Sequence, residues 1–156
     1  MNTARLVALY KQKGLTMATA ESCTGGLVAA SITTVPGASS VFTHGFVTYA
    51  NAAKAQMLGV PEDMLDMAGA VSEPVARAMA EGARARAGVD VAVAITGIAG
   101  PDGGTLEKPV GTVWFGLAGP AESLTYHKIF HGNRDEIRTQ SVSFALKLLE
   151  QEGEKI

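Results

Sequence analysis

The sequence predicts a three-layer α/β/α sandwich built on a mixed, mostly parallel sheet. Three observations carry that expectation. Strand-like and helix-like segments alternate along most of the chain, the pattern of helices packed on a sheet. Val89 to Thr96 is almost continuously apolar, as expected of a strand covered on both faces. The last two strand-like runs are separated only by a short turn around Gly119-Pro120, so they form a hairpin, and an antiparallel pair makes the sheet mixed. The chain of 156 residues has no repeat, low-complexity tract or linker, so residues 1–156 read as one domain.

Each element has its own local reason. Over residues 3–13, Leu6, Val7, Leu9 and Tyr10 recur at helical spacing, and Gly14 stops the helix. Leu15 to Ala20 is a short strand that leads into Glu21-Ser22-Cys23-Thr24-Gly25-Gly26. A helix is expected from Thr24 to Thr33, ended by Pro36-Gly37. Val41 to Ala50 is rich in Val, Phe, Thr and Tyr and reads as a strand. Asn51 is placed to cap a helix running to Leu58, and Pro61 opens another short one. Ser72 precedes Glu73-Pro74 as the cap of a helix whose stripe is Val75, Ala76, Met79, Ala80 and Ala83. After the apolar strand comes a glycine-rich loop, GIAGPDGGTLEKP, long for a compact domain. Gly111–Ala118 and Ser123–Phe130 form the hairpin. Asn133 and Glu136 make a capping box for the last helix, which buries Ile137, Ser141, Phe144, Ala145 and Leu148, and the tail QEGEKI is expected to fray.

Composition narrows the function classes. Hydrophobic residues make up 47% of the chain, so a globular core is expected rather than disorder. Lys and Arg total 13 against 15 Asp and Glu, a net charge of -2, which argues against a broad nucleic-acid footprint. Cys23 is the one cysteine, so no intrachain disulfide forms and a reducing compartment fits. No apolar run approaches the roughly 18 residues that a membrane span needs, and the first residues lack the apolar core of a signal peptide. The expected protein is soluble, with neither a membrane nor a nucleic acid as partner.

Four segments carry the chemistry. In ESCTGG, a strand end turns into a helix start, so free backbone N–H groups can face an anion or oxyanion beside Ser22, while Gly25 and Gly26 allow close approach. The plainer alternative is that Ser22 or Thr24 caps the helix. The segment matches neither the dinucleotide fingerprint, the phosphate loop nor the Gly-x-Ser-x-Gly elbow. In YANAAK, Lys54 falls in the first turn of a helix, where the dipole disfavours a cation. Burial and a positive helix end both lower a lysine pKa from about 10.4, as a lysine base requires, and a Ser–Lys pair can then transfer an acyl group without histidine. The alternative is a solvated surface lysine. Gly97 and Gly100 belong to the long loop at the end of the buried strand, a usual ligand position in α/β domains, or else to a slack connection. Arg134 and Arg138 lie four apart at a helix start and suit a phosphate, or else pair with Asp135 and Glu136. Cys23 is a second possible nucleophile, ranked below Ser22 for want of a histidine partner. His127, His131 and His44 give no metal-ligand pattern, and Trp114 reads as core.

Taken together, ESCTGG, GFVTYANAAKAQMLGV, GAVSEPVA, ITGIAGPDGG, KPVGTVWFG and GNRDEIR resemble the CinA C-terminal domain family from about Leu6 to Leu149. The resemblance implies a bacterial cytoplasmic homodimer or larger homo-oligomer that uses no metal or organic cofactor. Stand-alone members are similar in length to this chain, and for them it implies hydrolysis of the carboxamide of nicotinamide mononucleotide to nicotinate mononucleotide and ammonia. It carries a Ser–Lys mechanism onto Ser22 and Lys54. Tyr49 then stacks on the pyridine ring or positions Lys54. Cys23, Thr24, Gly25 and Gly26 hold the oxyanion, and Asn51, Gly97, Gly100, Arg134 and Arg138 contact substrate. The competing expectation is a non-catalytic nucleotide-binding module of a competence- or damage-inducible system, which would use the same glycines and arginines but has no need of a Ser–Lys pair.

Overall fold

The computed structural model describes residues 2–156. Five strands, β1 (Met17–Glu21), β2 (Phe42–Val47), β3 (Val91–Gly97), β4 (Thr112–Ala118) and β5 (Ser123–Ile129), form one sheet in the order β2-β1-β3-β4-β5. β2, β1 and β3 pair in parallel, and β4 is antiparallel to both β3 and β5, so β4 alone is reversed. The mixed, mostly parallel sheet predicted from the sequence is the one observed.

The composition of β3 explains the layering. Successive side chains point to opposite faces. Val91, Val93 and Ile95 therefore enter one core with α1 (Thr3–Lys13), α2 (Leu27–Thr33) and α6 (Arg134–Lys155). Ala92 and Ala94 face the other core with α3 (Asn51–Leu58), α4 (Glu62–Ala68) and α5 (Glu73–Ala87). The bulky face stands its helices off. The alanine face lets α5 lie almost on the backbone: a Cβ at Gly116 of β4 would run into the Ala76 carbonyl oxygen. Burial of this two-sided apolar surface, at about 25 cal/mol per Å², is what holds the three layers together.

Five local expectations are corrected. α2 begins at Leu27 rather than Thr24, because Gly25 and Gly26 take φ of 59° and 104° and the turn must finish before a helix can start. β2 is shorter than expected, bounded by a 3₁₀ turn at Ala38–Ser40 and by the departure of the chain after Val47. Asn51 is the first residue inside α3, and Ala50 occupies the cap position with no side-chain bond. Ser72 does sit at the cap of α5, but its hydroxyl donates to the Gly69 carbonyl instead of accepting from the helix. The tail does not fray. α6 runs on to Lys155 because α1 packs along it, with Tyr10 Oη donating to the Leu149 carbonyl at 2.7 Å and Lys13 Nζ to the Gly153 carbonyl at 2.9 Å. The capping box of Asn133 and Glu136 is formed as expected, with bonds of 2.9 and 3.0 Å.

Candidate active site

β1 and β3 are neighbours in parallel register, with Ala20 beside Ala94 and Glu21 beside Ile95. Their C-terminal ends therefore open on the same edge of the sheet, the usual ligand position of an α/β fold. A cavity of about 300 Å³ lies there, lined by Ser22 and Cys23 from one strand end and residues 96–100 from the other. Tyr49, Asn51, Lys54, Asp102 and Arg134 add polar side chains to its wall, and Ala70 and Val71 apolar ones. Its size is at the small end of the range for small-molecule sites. A larger groove of about 420 Å³ runs along α6 between Phe130 and Phe144; Ser143 and Lys147 line it, but no hydrogen bond joins the two among the described residues.

Ser22 follows β1 directly, and its N–H is anchored on the Ile95 carbonyl at 2.9 Å. The helix-cap alternative for Ser22 and Thr24 does not hold. Glu21, fully buried, reaches over the turn and accepts from the N–H groups of Val28 and Ala29 at 2.9 and 3.0 Å. The first amides of α2 are thus already satisfied by a carboxylate, which the helix dipole also favours. This frees the Ser22 hydroxyl and closes the helix end itself to an outside anion. Within the turn, Gly25 N–H donates to the Ser22 carbonyl at 3.0 Å. The N–H groups of Cys23, Thr24 and Gly26 have no acceptor among the described residues.

Lys54 is 1% exposed, so it is not a surface lysine. Its Nζ lies 3.1 Å from Ser22 Oγ, 2.9 Å from the Thr48 carbonyl oxygen and 3.2 Å from the Tyr49 carbonyl oxygen. No carboxylate pairs with it among the described residues. Burial without a counter-ion pushes its pKa below the ordinary lysine value, Cys23 opposing the shift weakly. The three contacts fit a neutral amine well. Two N–H groups donate to the two carbonyls, and the remaining tetrahedral position, the lone pair, is left for the Ser22 hydroxyl to donate into.

Cys23 lines the cavity, but burial pushes its thiol up to about 11, which keeps it protonated and a poor nucleophile near neutral pH. Tyr49 is 63% exposed at the rim, and its hydroxyl accepts from Arg134 Nη2 at 3.3 Å. Arg134 also donates through Nη1 to the Gly100 carbonyl at 2.8 Å, and no carboxylate pairs with it. Asn51, Gly97 and Gly100 line the cavity, whereas Thr24, Gly25 and Gly26 lie behind it. The expectation that Arg134 and Arg138 face one anion is corrected. Arg138 turns away from the cavity and donates to the carbonyls of Cys23 at 3.0 Å and Thr24 at 3.4 Å. The surface ion pairs with Asp135 and Glu136 do not form either.

Sequence reasoning missed two contributors. The sequence reading places Glu21 only at the entry to the turn, although a carboxylate six residues before a helix with glycine at its cap is a legible signal. Lys108 ties the loop after β3 to the end of α4 by donating to the Ala68 carbonyl at 2.8 Å, and nothing in the sequence separates it from an ordinary loop lysine. Thr96 fixes the cavity wall through the Ala70 carbonyl at 2.9 Å. No three His, Cys, Asp or Glu side chains converge as metal ligands among the described residues, and no helix is long and apolar enough to cross a membrane.

A buried lysine aimed at a serine on a strand-to-helix turn, beside a glycine loop, is the arrangement that the ESCTGG and YANAAK motifs imply together. The CinA C-terminal domain model matches residues 2–152. The chain belongs to that family. It is 55% identical to the nicotinamide-nucleotide amidohydrolase PncC of Escherichia coli K12, over 91% of this chain and 87% of that protein. It is also 58% identical to a putative competence-damage inducible protein of Symbiobacterium thermophilum, over 90% of this chain but 35% of that one. The chain thus spans about a third of the length of its longer curated relatives and most of the length of the shorter ones. Among solved structures, a CinA superfamily protein from Klebsiella pneumoniae superposes with a TM-score of 0.93 at 34% identity, covering 100% of both chains. The competence/damage inducible protein CihA of Agrobacterium tumefaciens gives 0.92 at 44%, covering 94% of this chain and 90% of that one.

Proposed function

We propose that this protein hydrolyses the carboxamide of nicotinamide mononucleotide, releasing nicotinate mononucleotide and ammonia. The observation that carries the reading is the 3.1 Å approach of Lys54 Nζ to Ser22 Oγ in a cavity, with the amine buried and unpaired. The identity to amidohydrolases of similar length supports the substrate.

Neutral Lys54 takes the hydroxyl proton as the Ser22 oxygen bonds to the amide carbon. The oxyanion of the tetrahedral intermediate meets N–H groups of the Cys23–Gly26 turn, of which Cys23, without an acceptor among the described residues, is the one that lines the cavity. Lys54 then returns its proton to the departing nitrogen, the C–N bond breaks and ammonia leaves. Water attacks the acyl-enzyme with its proton passing to Lys54, and the C–O bond to Ser22 breaks as Lys54 reprotonates it. Serine, lysine, substrate and water balance the reaction. Arg134, at the cavity mouth and free of carboxylate partners, is placed to take the 5'-phosphate, with Tyr49 beside it against the ring. Asn51, Gly97 and Gly100 form the remaining walls. The same reading includes a cytoplasmic homo-oligomer, which sedimentation of the purified protein would test.

The decisive experiment incubates the protein and its Ser22→Ala variant with nicotinamide mononucleotide and measures ammonia. Release by the wild type alone is expected. Binding of the nucleotide without ammonia from either protein would instead support the non-catalytic binding module.

A further inference from the structure

Arg138 does not line the cavity, yet its guanidinium is spent on the turn that carries Ser22. It donates to the Cys23 carbonyl through Nε and to the Thr24 carbonyl through Nη2. A trans peptide points its C=O and its N–H in opposite directions. Holding the Cys23 carbonyl therefore turns the N–H of Thr24 away from Arg138, and holding the Thr24 carbonyl does the same for Gly25. The Gly25 N–H is consumed inside the turn by the Ser22 carbonyl. The N–H groups of Cys23, Thr24 and Gly26 have no acceptor among the described residues; Thr24 is fully buried, and of the three residues Cys23 is the one that lines the cavity. A buried amide without an acceptor costs about 1–3 kcal/mol, and such groups persist where a ligand or intermediate completes them. Gly25 leaves room for this clamp, since a Cβ there would stand 3.4 Å from Arg138 Nη2.

We infer that Arg138 is a positioning residue: by holding the carbonyls of Cys23 and Thr24 it fixes the turn so that the N–H of Cys23, which lines the cavity, serves the oxyanion beside Ser22, and it makes no contact with the substrate phosphate. This rests on the amidase reading and adds to it the residue that orients the donor.

The test separates orientation from phosphate binding. A simple alkyl fluorophosphonate carries no nucleotide phosphate. Ser22 Oγ forms a bond to its phosphorus, fluoride leaves, and the hydroxyl proton passes to Lys54. The labelling rate is read by intact-protein mass for wild type, Arg138→Met, Arg138→Lys and Arg134→Met, with thermal unfolding of each. The expected result is labelling slowed at least about tenfold in Arg138→Met, since losing a single oxyanion donor costs about a hundredfold or more. Arg138→Lys should fall between, because one ammonium cannot hold both carbonyls in a fork. Arg134→Met should label like wild type. In turnover of nicotinamide mononucleotide, Arg138→Met should lose kcat and keep KM. Should Arg138→Met fail to fold, Arg138→Lys carries the same comparison. Labelling of the Arg138 variants at the wild-type rate, or a raised KM with unchanged kcat, would overturn the inference alone. A wild type that does not label at all would overturn the Ser22–Lys54 chemistry and the inference with it.

Discussion

Two connections leave the same end of neighbouring strands and are built in opposite ways. The turn from β1 to α2 takes five residues, 22–26, and side chains on either side of it hold it in place. Glu21 holds the helix behind it, Arg138 holds the carbonyls of Cys23 and Thr24, and Glu21, Ser22, Cys23 and Thr24 are all buried. The connection from β3 to β4 takes residues 98–111, and residues 101–107 are all exposed. It is fixed at a few points, chiefly Ile98 and Gly111 at its base, Arg134 on Gly100 and Lys108 on Ala68. The difference teaches a division of labour. A reacting oxygen needs its neighbours held to a fraction of an ångström, so its turn is rigid. A wall that shapes a cavity needs close backbone approach, so its loop is glycine-rich. Damage to the turn should appear in kcat and damage to the loop in KM.

The largest effect should come from the chemical pair. Ser22→Ala or Lys54→Met should lower kcat about a thousandfold or more, with substrate still bound, as measured by ammonia release and by nucleotide titration. Because the active form of Lys54 is the neutral one, kcat/KM should rise with pH along a limb whose midpoint lies below the ordinary lysine value of about 10.4. A limb set by an unshifted lysine would break the assignment of Lys54 as base. Next in size is Arg134→Met. If the guanidinium takes the phosphate, KM for nicotinamide mononucleotide should rise by about ten- to a hundredfold with kcat little changed, a loss of about 1.4–3 kcal/mol in binding. A fall in kcat alone would move Arg134 to the turn's side of the comparison.

Gly100→Ala probes the loop itself. Gly100 has φ +78°, where an L side chain is strained, and a Cβ would stand 2.5 Å from Val110 Cγ1. The loop must shift, and since Gly100 also receives Arg134, the expected outcome is a KM raised about tenfold, with a stability loss of about 1–2 kcal/mol by chemical denaturation. Unchanged kinetics would show that the loop, unlike the turn, absorbs backbone movement without cost.

The same contrast marks what the sequence could disclose. The layers were legible because β3 alternates Val and Ile with Ala, and because the helix stops and the capping box are local signals. The family motifs named Ser22 and Lys54, but nothing local to either residue brings them together, since residue 22 follows β1 and residue 54 lies past β2. That contact is made by sheet pairing, and so is the burial that sets Lys54 apart from a surface cation. Arg138 was assigned to the substrate because its spacing from Arg134 is helical. Only the packing of α6 against the turn shows that the two side chains part. The tail was expected to fray because its own residues are polar, whereas its order is supplied by α1.

The smallest effect separates burial of Lys54 from its role in the reaction. Its folded-state pKa is depressed because its charge is desolvated, so the folded protein gives up the lysine proton before the unfolded chain does. Between the folded value and about 10.4, the unfolded state binds more protons, and stability contributed by this group must rise with pH. Below the folded value the group is charged in both states and the full desolvation penalty stands. The measurable quantity is the unfolding free energy of wild type minus that of Lys54→Met, taken by urea denaturation at a series of alkaline pH values. The difference should be flat below the folded value and then climb by up to about 1.4 kcal/mol per pH unit, one proton's worth, until the unfolded lysine also titrates. A difference that stays level through that window would mean that Lys54 keeps its proton in the fold. The three contacts at its Nζ would then be those of an ammonium donating to Ser22 Oγ, and the turn would lack the base that sets it apart from the loop.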